Sequence, residues 1–248
     1  QFKKFTVFFK NNLKVLDCTF NVQNNLKERL DQLSFEAEIA VREGCKHLIL
    51  SDKQLSEKKA AVPMILAFGA INSKLVNLGI RGFVSINVQT GEVLDTHSFA
   101  VLLGIGATTI NPYLVFDSIY QRYEKKLFGK FSYKECIQRY IKSVDNGLLK
   151  IMSKMGISVL SAYRGGCNFE TVGLSRAIVA EYFPGMISRI SGIGIFGIEI
   201  KIKELHKKAF RKNVSILPIG GIYKYRKNGE NHQYQGQLIH MLQHAVAI

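Results

Sequence analysis

The stretch from Asn25 to Asp52, NLKERLDQLSFEAEIAVREGCKHLILSD, carries a helix and a strand back to back. Leu26, Leu30, Leu33, Ala37 and Val41 recur at three- and four-residue steps, which gathers them on one helical face. Asn25 with Glu28 has capping-box character at the start, and Gly44 suits the left-handed position that ends a helix. His47 to Ser51 is then apolar without alternation, as in a strand covered on both faces, and Asp52 stands at its carboxyl end. A helix running straight into such a strand is a unit of a parallel sheet.

The same grammar repeats outward. A strand-like start, Lys14 to Phe20, precedes the quoted stretch. After it, the charged loop Lys53 to Lys59 leads to Pro63 in a first helical turn and a helix to about Asn77. Phe83 to Gln89 reads as strand, Gly91 turns the chain, and Phe99 to Leu103 is helix-like. A short strand lies at Thr109-Ile110, and Asn111-Pro112 opens a further helix. Ser132 with Glu135 forms a capping box for the best helix, marked by Ile137, Ile141, Val144, Leu148, Ile151 and Met155 and stopped by Gly156. Ile157 to Leu160 then reads as another apolar strand. The pattern predicts an α/β fold of mostly parallel strands alternating with helices. Character changes near Phe196, so the expected division is 1–195 and 196–248, the second part ending in a helix from Gln237 to Val246.

Composition sets outer bounds. The 248 residues are 47% hydrophobic and 10% aromatic, enough for a real core and incompatible with a disordered chain. Cys18, Cys45, Cys136 and Cys167 are far apart with no CxxC pair, so a disulfide scaffold is excluded and a reducing compartment expected. Gln1 to Lys10 mixes lysine with phenylalanine and builds no signal-peptide core. The chain does not open on Met, which suggests a fragment or a processed product. Ser98 to Phe116 is uncharged and near spanning length, but Pro112, Asn111 and the glycines at 104 and 106 make it a buried helix, a turn and a strand.

The net charge of +15 raises a nucleic-acid reading. Lys201 to Glu230 alone contributes a net +7, and Tyr223-Lys-Tyr225-Arg-Lys227 interleaves rings with cations. No RNP, zinc-finger or helix-turn-helix signature accompanies it, and Lys201 to Lys212 also describes a helix with a solvated face.

Other candidate sites each have a plain structural counterpart. His240 and His244 are spaced to share a metal, yet Met241 stands where a zinc hydrolase helix carries Glu. His97 and Ser98 pair a base with a hydroxyl, with Asp95 near but no orienting carboxylate assigned. Arg164-Gly165-Gly166, and Arg189 followed by Gly192-Ile-Gly194, are what phosphate-binding loops of a barrel would look like; tight turns would use the same residues. Asp52 is placed for function at a strand's carboxyl end, or for anchoring a loop. These residues name no reaction.

The run Gly147-Leu-Leu-Lys-Ile-Met-Ser-Lys-Met-Gly-Ile-Ser158, preceded by Tyr140-Ile-Lys-Ser-Val-Asp145, resembles the central domain of the glutamate synthase large chain. Leu50-Ser-Asp52, Leu102-Leu-Gly-Ile-Gly-Ala107, Asn111-Pro-Tyr-Leu114, Tyr163-Arg-Gly165, Phe169-Glu170, Val172-Gly-Leu174, Ser188-Arg-Ile190, Gly192-Ile-Gly194 and Leu242-Gln-His-Ala-Val246 agree in order. The likeness covers about Leu13 to Val246.

The resemblance implies a fold related to an aldolase-type TIM barrel, incomplete in this chain and without its own flavin. It implies a non-catalytic domain that joins a glutaminase domain to an FMN domain and helps wall an internal ammonia path. The parent enzyme would make L-glutamate from L-glutamine and 2-oxoglutarate, using FMN and an iron–sulfur cluster held elsewhere. Partners would be those two domains, with a small subunit or ferredoxin; localisation would be cytoplasmic or in a plastid stroma. Membrane is not an expected partner, nor nucleic acid. Ser98 stands where the family leads one to expect a second histidine, Lys53 replaces an arginine, and Gly166-Cys-Asn168 replaces Ala-Gln-Ile. The family's N-terminal nucleophile and clustered cysteines have no counterpart among these residues. No catalytic, cofactor-binding or metal residue carries over, and isolated residues 1–248 are expected to be inactive. A free-standing barrel enzyme binding a phosphorylated ligand at Arg164–Gly166 and Arg189–Gly194, or a basic module on Lys201 to Lys227, are the alternatives.

Overall fold

The computed structural model describes residues 2–211, 219–221 and 224–247. It opens on helix α1 (Phe2–Phe8), then strands β1 (Leu13–Asp17) and β2 (Thr19–Asn21), helix α2 (Leu26–Arg42), and strands β3 (His47–Ser51) and β4 (Lys59–Ala61). Helix α3 (Met64–Asn77), β5 (Ser85–Gln89), α4 (Thr96–Gly104), β6 (Thr109–Asn111), α5 (Tyr113–Glu124) and the long α6 (Tyr133–Lys154) come next. The chain continues through α7 (Leu160–Tyr163), β7 (Glu170–Leu174), α8 (Arg176–Tyr182), β8 (Ile187–Ile193), α9 (Ile195–Ala209) and α10 (Gly236–Val246).

The main sheet has the order β1-β3-β5-β6 with every pairing parallel, so the α/β expectation holds. It is open and does not close into a barrel. Leu48, Ile49 and Leu50 of β3 and Ile86 and Val88 of β5 are buried, as strands covered on both faces require. Asn87 is fully buried among them and is satisfied: its amide donates to the Leu48 carbonyl at 3.2 Å and its oxygen accepts from the Thr109 hydroxyl at 2.8 Å. β2, just after β1, and β4, beyond the loop 52–58 that follows β3, pair antiparallel. β7 and β8 form a separate parallel pair.

Helices α2, α3, α4 and α6 end alike. Gly44, Gly79, Gly106 and Gly156 take positive φ (+91, +70, +116 and +71°), and the next residue's amide reaches back to close the turn. For α6 the pair is Gly156 N to Ser153 O and Ile157 N to Met152 O. After the first three helices the chain enters a sheet strand. After α6 it does not: Ile157 packs against the cluster of Ala100, Leu103, Met152 and Tyr163, and α7 begins at Leu160. The strand expected at Ile157 to Leu160 is therefore absent, because these apolar residues complete the helix cap and a small second core.

At α2 the Asn25 side chain accepts from the Lys27 amide, so Asn25 caps the helix without a reciprocal box from Glu28. Ser132 and Glu135 form the full capping box of α6. The large core joins the sheet to α2 and α3, with Ile178, Val179, Tyr182 and Phe183 from the α8 region packed in.

The chain separates into two compact units, Gln1–Lys207 and Lys208–Ile248. In the second unit, Glu230 N donates to Gly220 O at 2.9 Å, and no residue of α10 is buried. Among the described residues no helix is long and apolar enough to cross a membrane; Ser98 to Phe116 falls on α4, β6 and the start of α5.

Candidate functional site

The carboxyl end of a parallel sheet is where α/β folds collect ligands and chemistry. Here β3 delivers Ser51 and Asp52, and β5 delivers Gln89, Thr90 and Gly91. Asp52 is 3% exposed and Thr90 fully buried. The Thr90 hydroxyl donates to Asp52 Oδ2 at 2.5 Å, and the Gly91 amide donates to the same oxygen at 3.0 Å. Beside them the Ser51 hydroxyl donates to Gln89 Oε1 at 2.9 Å.

Two more groups surround this knot. Tyr113, the first residue of α5, has its phenol pushed up by partial burial and by the negative charge of Asp52, and the Lys53 ammonium lies 5.8 Å from its ring centre. Gly91 leaves room for that phenol, since a Cβ there would stand 3.2 Å from the Tyr113 oxygen. The Glu92 carboxylate accepts the Met64 amide at 2.8 Å, at the start of α3. Glu92 keeps an exposed edge, yet crowding by its surroundings and then the Asp52 charge push its carboxyl up to about 7, against the Met64 hydrogen bond.

Asp52 thus acts as the loop anchor that the sequence allowed, drawing three loops together. The cluster offers a proton acceptor near neutrality in Glu92 and a cation in Lys53. Its pairing of a hydroxyl with a carboxylate, Thr90 with Asp52, is buried. The sequence does not connect Thr90, Gly91, Glu92 or Tyr113 with Asp52, because 38 or more positions separate them from it.

The remaining candidates disperse. Asp95 caps α4, accepting from the Ser98 amide at 3.0 Å and the Ser98 hydroxyl at 2.7 Å. Ser98 is thus engaged by the helix cap, and His97 is exposed. His240 and His244 lie exposed on α10, and among the described residues no three His, Cys, Asp or Glu side chains converge on a metal position.

Neither glycine motif fits a phosphate. The amides of Gly165, Gly166 and Cys167 donate to the carbonyls of Leu103, Tyr163 and Gly104 at 3.1 Å each, so the loop spends its donors on its own neighbours. Arg189 to Ile193 lies in strand β8 rather than in a binding loop; Arg189 faces Glu170 at 3.5 Å, and Gly192 sits against the Gly173 backbone. An FMN phosphate therefore finds no matching cradle at these motifs. The cysteines do not suit an iron–sulfur cluster, being on separate elements, with burial pushing the Cys18 thiol up.

The basic segment divides. Within α9, Lys203 reaches Glu199 at 2.7 Å and the Asn24 carbonyl at 3.0 Å, while Glu199 accepts the Leu26 amide, so this part of the helix is bound onto the start of α2. Lys212 and Tyr223 lie outside the described residues.

Comparison with known proteins places these features. The family model described as the glutamate synthase central domain matches residues 1–175, which include the whole main sheet, α6 and β7. The chain is 50% identical over 234 residues to the glutamate synthase [NADPH] large chain of Azospirillum brasilense, covering 93% of this chain and 15% of that one. It is 37% identical to the corresponding large chain of Bacillus subtilis and 35% identical to the chloroplastic ferredoxin-dependent glutamate synthase of Spinacia oleracea, each over 93% of this chain. It spans about 15% of the length of each of these relatives. A parallel sheet whose catalytic-looking end is tied up by its own side chains, matched over most of its length by one family, belongs to the glutamate synthase central domain family.

Proposed function

We propose that this segment is a non-catalytic domain within a glutamate synthase, joining a glutaminase domain to an FMN domain and walling the path of ammonia between them. The parent enzyme then converts L-glutamine and 2-oxoglutarate to L-glutamate. FMN and the iron–sulfur cluster belong to other parts of that enzyme, where they pass on electrons from reduced nicotinamide or ferredoxin. A smaller subunit or ferredoxin meets the parent rather than this segment, in the cytoplasm or a plastid stroma. The division into 1–195 and 196–248 belongs to the same proposal, the second part leading toward the FMN domain.

The observation that carries it is the family match over residues 1–175 together with the plugged carboxyl end of the sheet. At that end the Asp52 carboxylate takes the Thr90 hydroxyl and the Gly91 amide, with Tyr113 beside it. A wall needs this rigidity: hydrogen bonds to a charged acceptor hold loops more firmly than neutral ones.

Channelling is testable in the full-length polypeptide that carries this segment. Unlabelled glutamine is supplied with carbon-labelled 2-oxoglutarate and a reductant, reduced nicotinamide or ferredoxin, in a medium containing nitrogen-labelled ammonium. Ammonia kept inside gives glutamate that carries the 2-oxoglutarate carbon label and unlabelled nitrogen, whereas nitrogen label entering that glutamate in proportion to the medium contradicts the proposal. Loosening this segment with Thr90→Val should let label in while glutamine hydrolysis continues.

A further inference from the structure

Helices α5 and α6 form a hairpin whose tip is strongly basic. Between Arg122 and Lys142 the sequence holds seven cations and two carboxylates, a net +5 in a stretch that makes up less than a tenth of the chain. All seven cations are exposed. None lies within ion-pair distance of a carboxylate among the described residues. On α2 and α3 the pattern is opposite: Lys27, Arg29, Arg42 and Lys74 each face an acidic side chain. Glu124 and Glu135 offset only part of the hairpin's positive charge.

The tip also has shape. A cleft of 540 Å³ opens at the turn, lined by Tyr123, Lys126, Phe128, Lys130 and Phe131, with Glu124 the one carboxylate against the two lysines. That volume suits apolar side chains of an incoming segment. Leu127 is 62% exposed and Phe131 41% exposed at its rim, so apolar contact is available beside the cations.

The rings argue against bases as the occupant. Tyr133 meets Tyr120 and Tyr123 with ring centres 5.5 and 5.9 Å apart, and the Arg139 guanidinium covers Phe131 at 3.9 Å. Faces already used in this way are not open stacking platforms. A lipid surface would call for several free apolar side chains at the tip, and Leu127 is the main one.

We propose that the tip of the α5–α6 hairpin is a docking surface for an acidic segment of a partner polypeptide, with Lys126 and Lys130 taking its carboxylates and the cleft taking its apolar side chains. Charge complementarity draws the two together, and the cleft sets the register.

The test uses the full-length polypeptide and, as probe, a fluorescein-labelled short peptide alternating Glu with Leu. Binding is followed by anisotropy at low and at high salt. The account expects saturable binding that weakens with salt, and that Lys126→Glu with Lys130→Glu weakens roughly tenfold, as loss of two partly exposed ion pairs would. The same charge change at the other end of α6, Lys150→Glu with Lys154→Glu, should leave affinity within about twofold. Unchanged thermal midpoints show that the exposed substitutions leave the fold intact. Equal losses from both double variants would overturn the proposal. So would tighter binding, at the same salt, of oligothymidylate or of phosphatidylglycerol vesicles.

Discussion

The Thr90 hydroxyl donates a 2.5 Å hydrogen bond to the Asp52 carboxylate, tying the carboxyl end of β5 to that of β3. Both residues are buried, so neither can turn to water if the other is lost. Thr90→Val keeps the shape and removes the donor. It should cost about 1.5–3 kcal/mol, the range for a hydrogen bond to a charged group. Urea unfolding measures it, and a loss under about 0.5 kcal/mol would show that the knot does not stiffen this end.

Glu92 gives the segment a pH signature. Its folded carboxyl is held near 7, above the ordinary 4.5 of the unfolded chain, by crowding and by Asp52, with the Tyr113 phenol also near and the Met64 amide opposing. Between those two values the folded state binds the extra proton. Stability from this group is therefore present in acid and declines as pH rises from about 4.5 to about 7. Glu92→Gln keeps the shape without titrating, so its stability should vary less with pH across that window. Parallel curves for the two proteins would contradict the assignment.

Gly147 lies inside α6, where helix propensity alone predicts that alanine would gain about 1 kcal/mol. A Cβ there would stand 2.5 Å from the Thr96 side chain at the start of α4. Gly147→Ala should therefore destabilise by about 1–3 kcal/mol, and Thr96→Ala in the same chain should restore most of the loss. Thermal unfolding of the single and double variants decides it. A stabilised single variant would mean that the two helices are not in close contact.

The capping box of α6 is a separate, local case. The Ser132 hydroxyl receives the Glu135 amide, and Glu135 accepts the Ser132 amide at 2.8 Å. Ser132→Ala should cost about 1 kcal/mol. Helical circular dichroism during denaturation checks whether the loss begins in this helix.

Much of the sheet was legible because glycine punctuates it. Gly44 marked the end of α2 in the sequence; in the structure Gly79 and Gly106 end α3 and α4 in the same left-handed conformation before β5 and β6. The same punctuation at Gly156 misled, since a glycine stop marks the end of a helix without specifying the next element. Ile157 went to the helix cap, its amide donating to Met152 O and its side chain packing on the small second core. β2 and β4 are three residues each and pair across about forty positions, too short for a period to show. At the candidate site Asp52 stood out as a residue at a strand end. Its partners Thr90, Gly91 and Tyr113 became visible only once β3 and β5 were side by side. The glycines at 165 and 166 looked like an anion loop because sequence shows the amides without showing which carbonyls they meet.

The central claim is that these residues work as one domain of a much longer synthase. It is tested most directly by the size of the native polypeptide, detected with an antibody raised against residues 133–154. The account predicts a single species several times longer than 248 residues, consistent with the 15% of the Azospirillum brasilense chain that this segment spans. A native species of about 28 kDa, the mass of residues 1–248 alone, would contradict it.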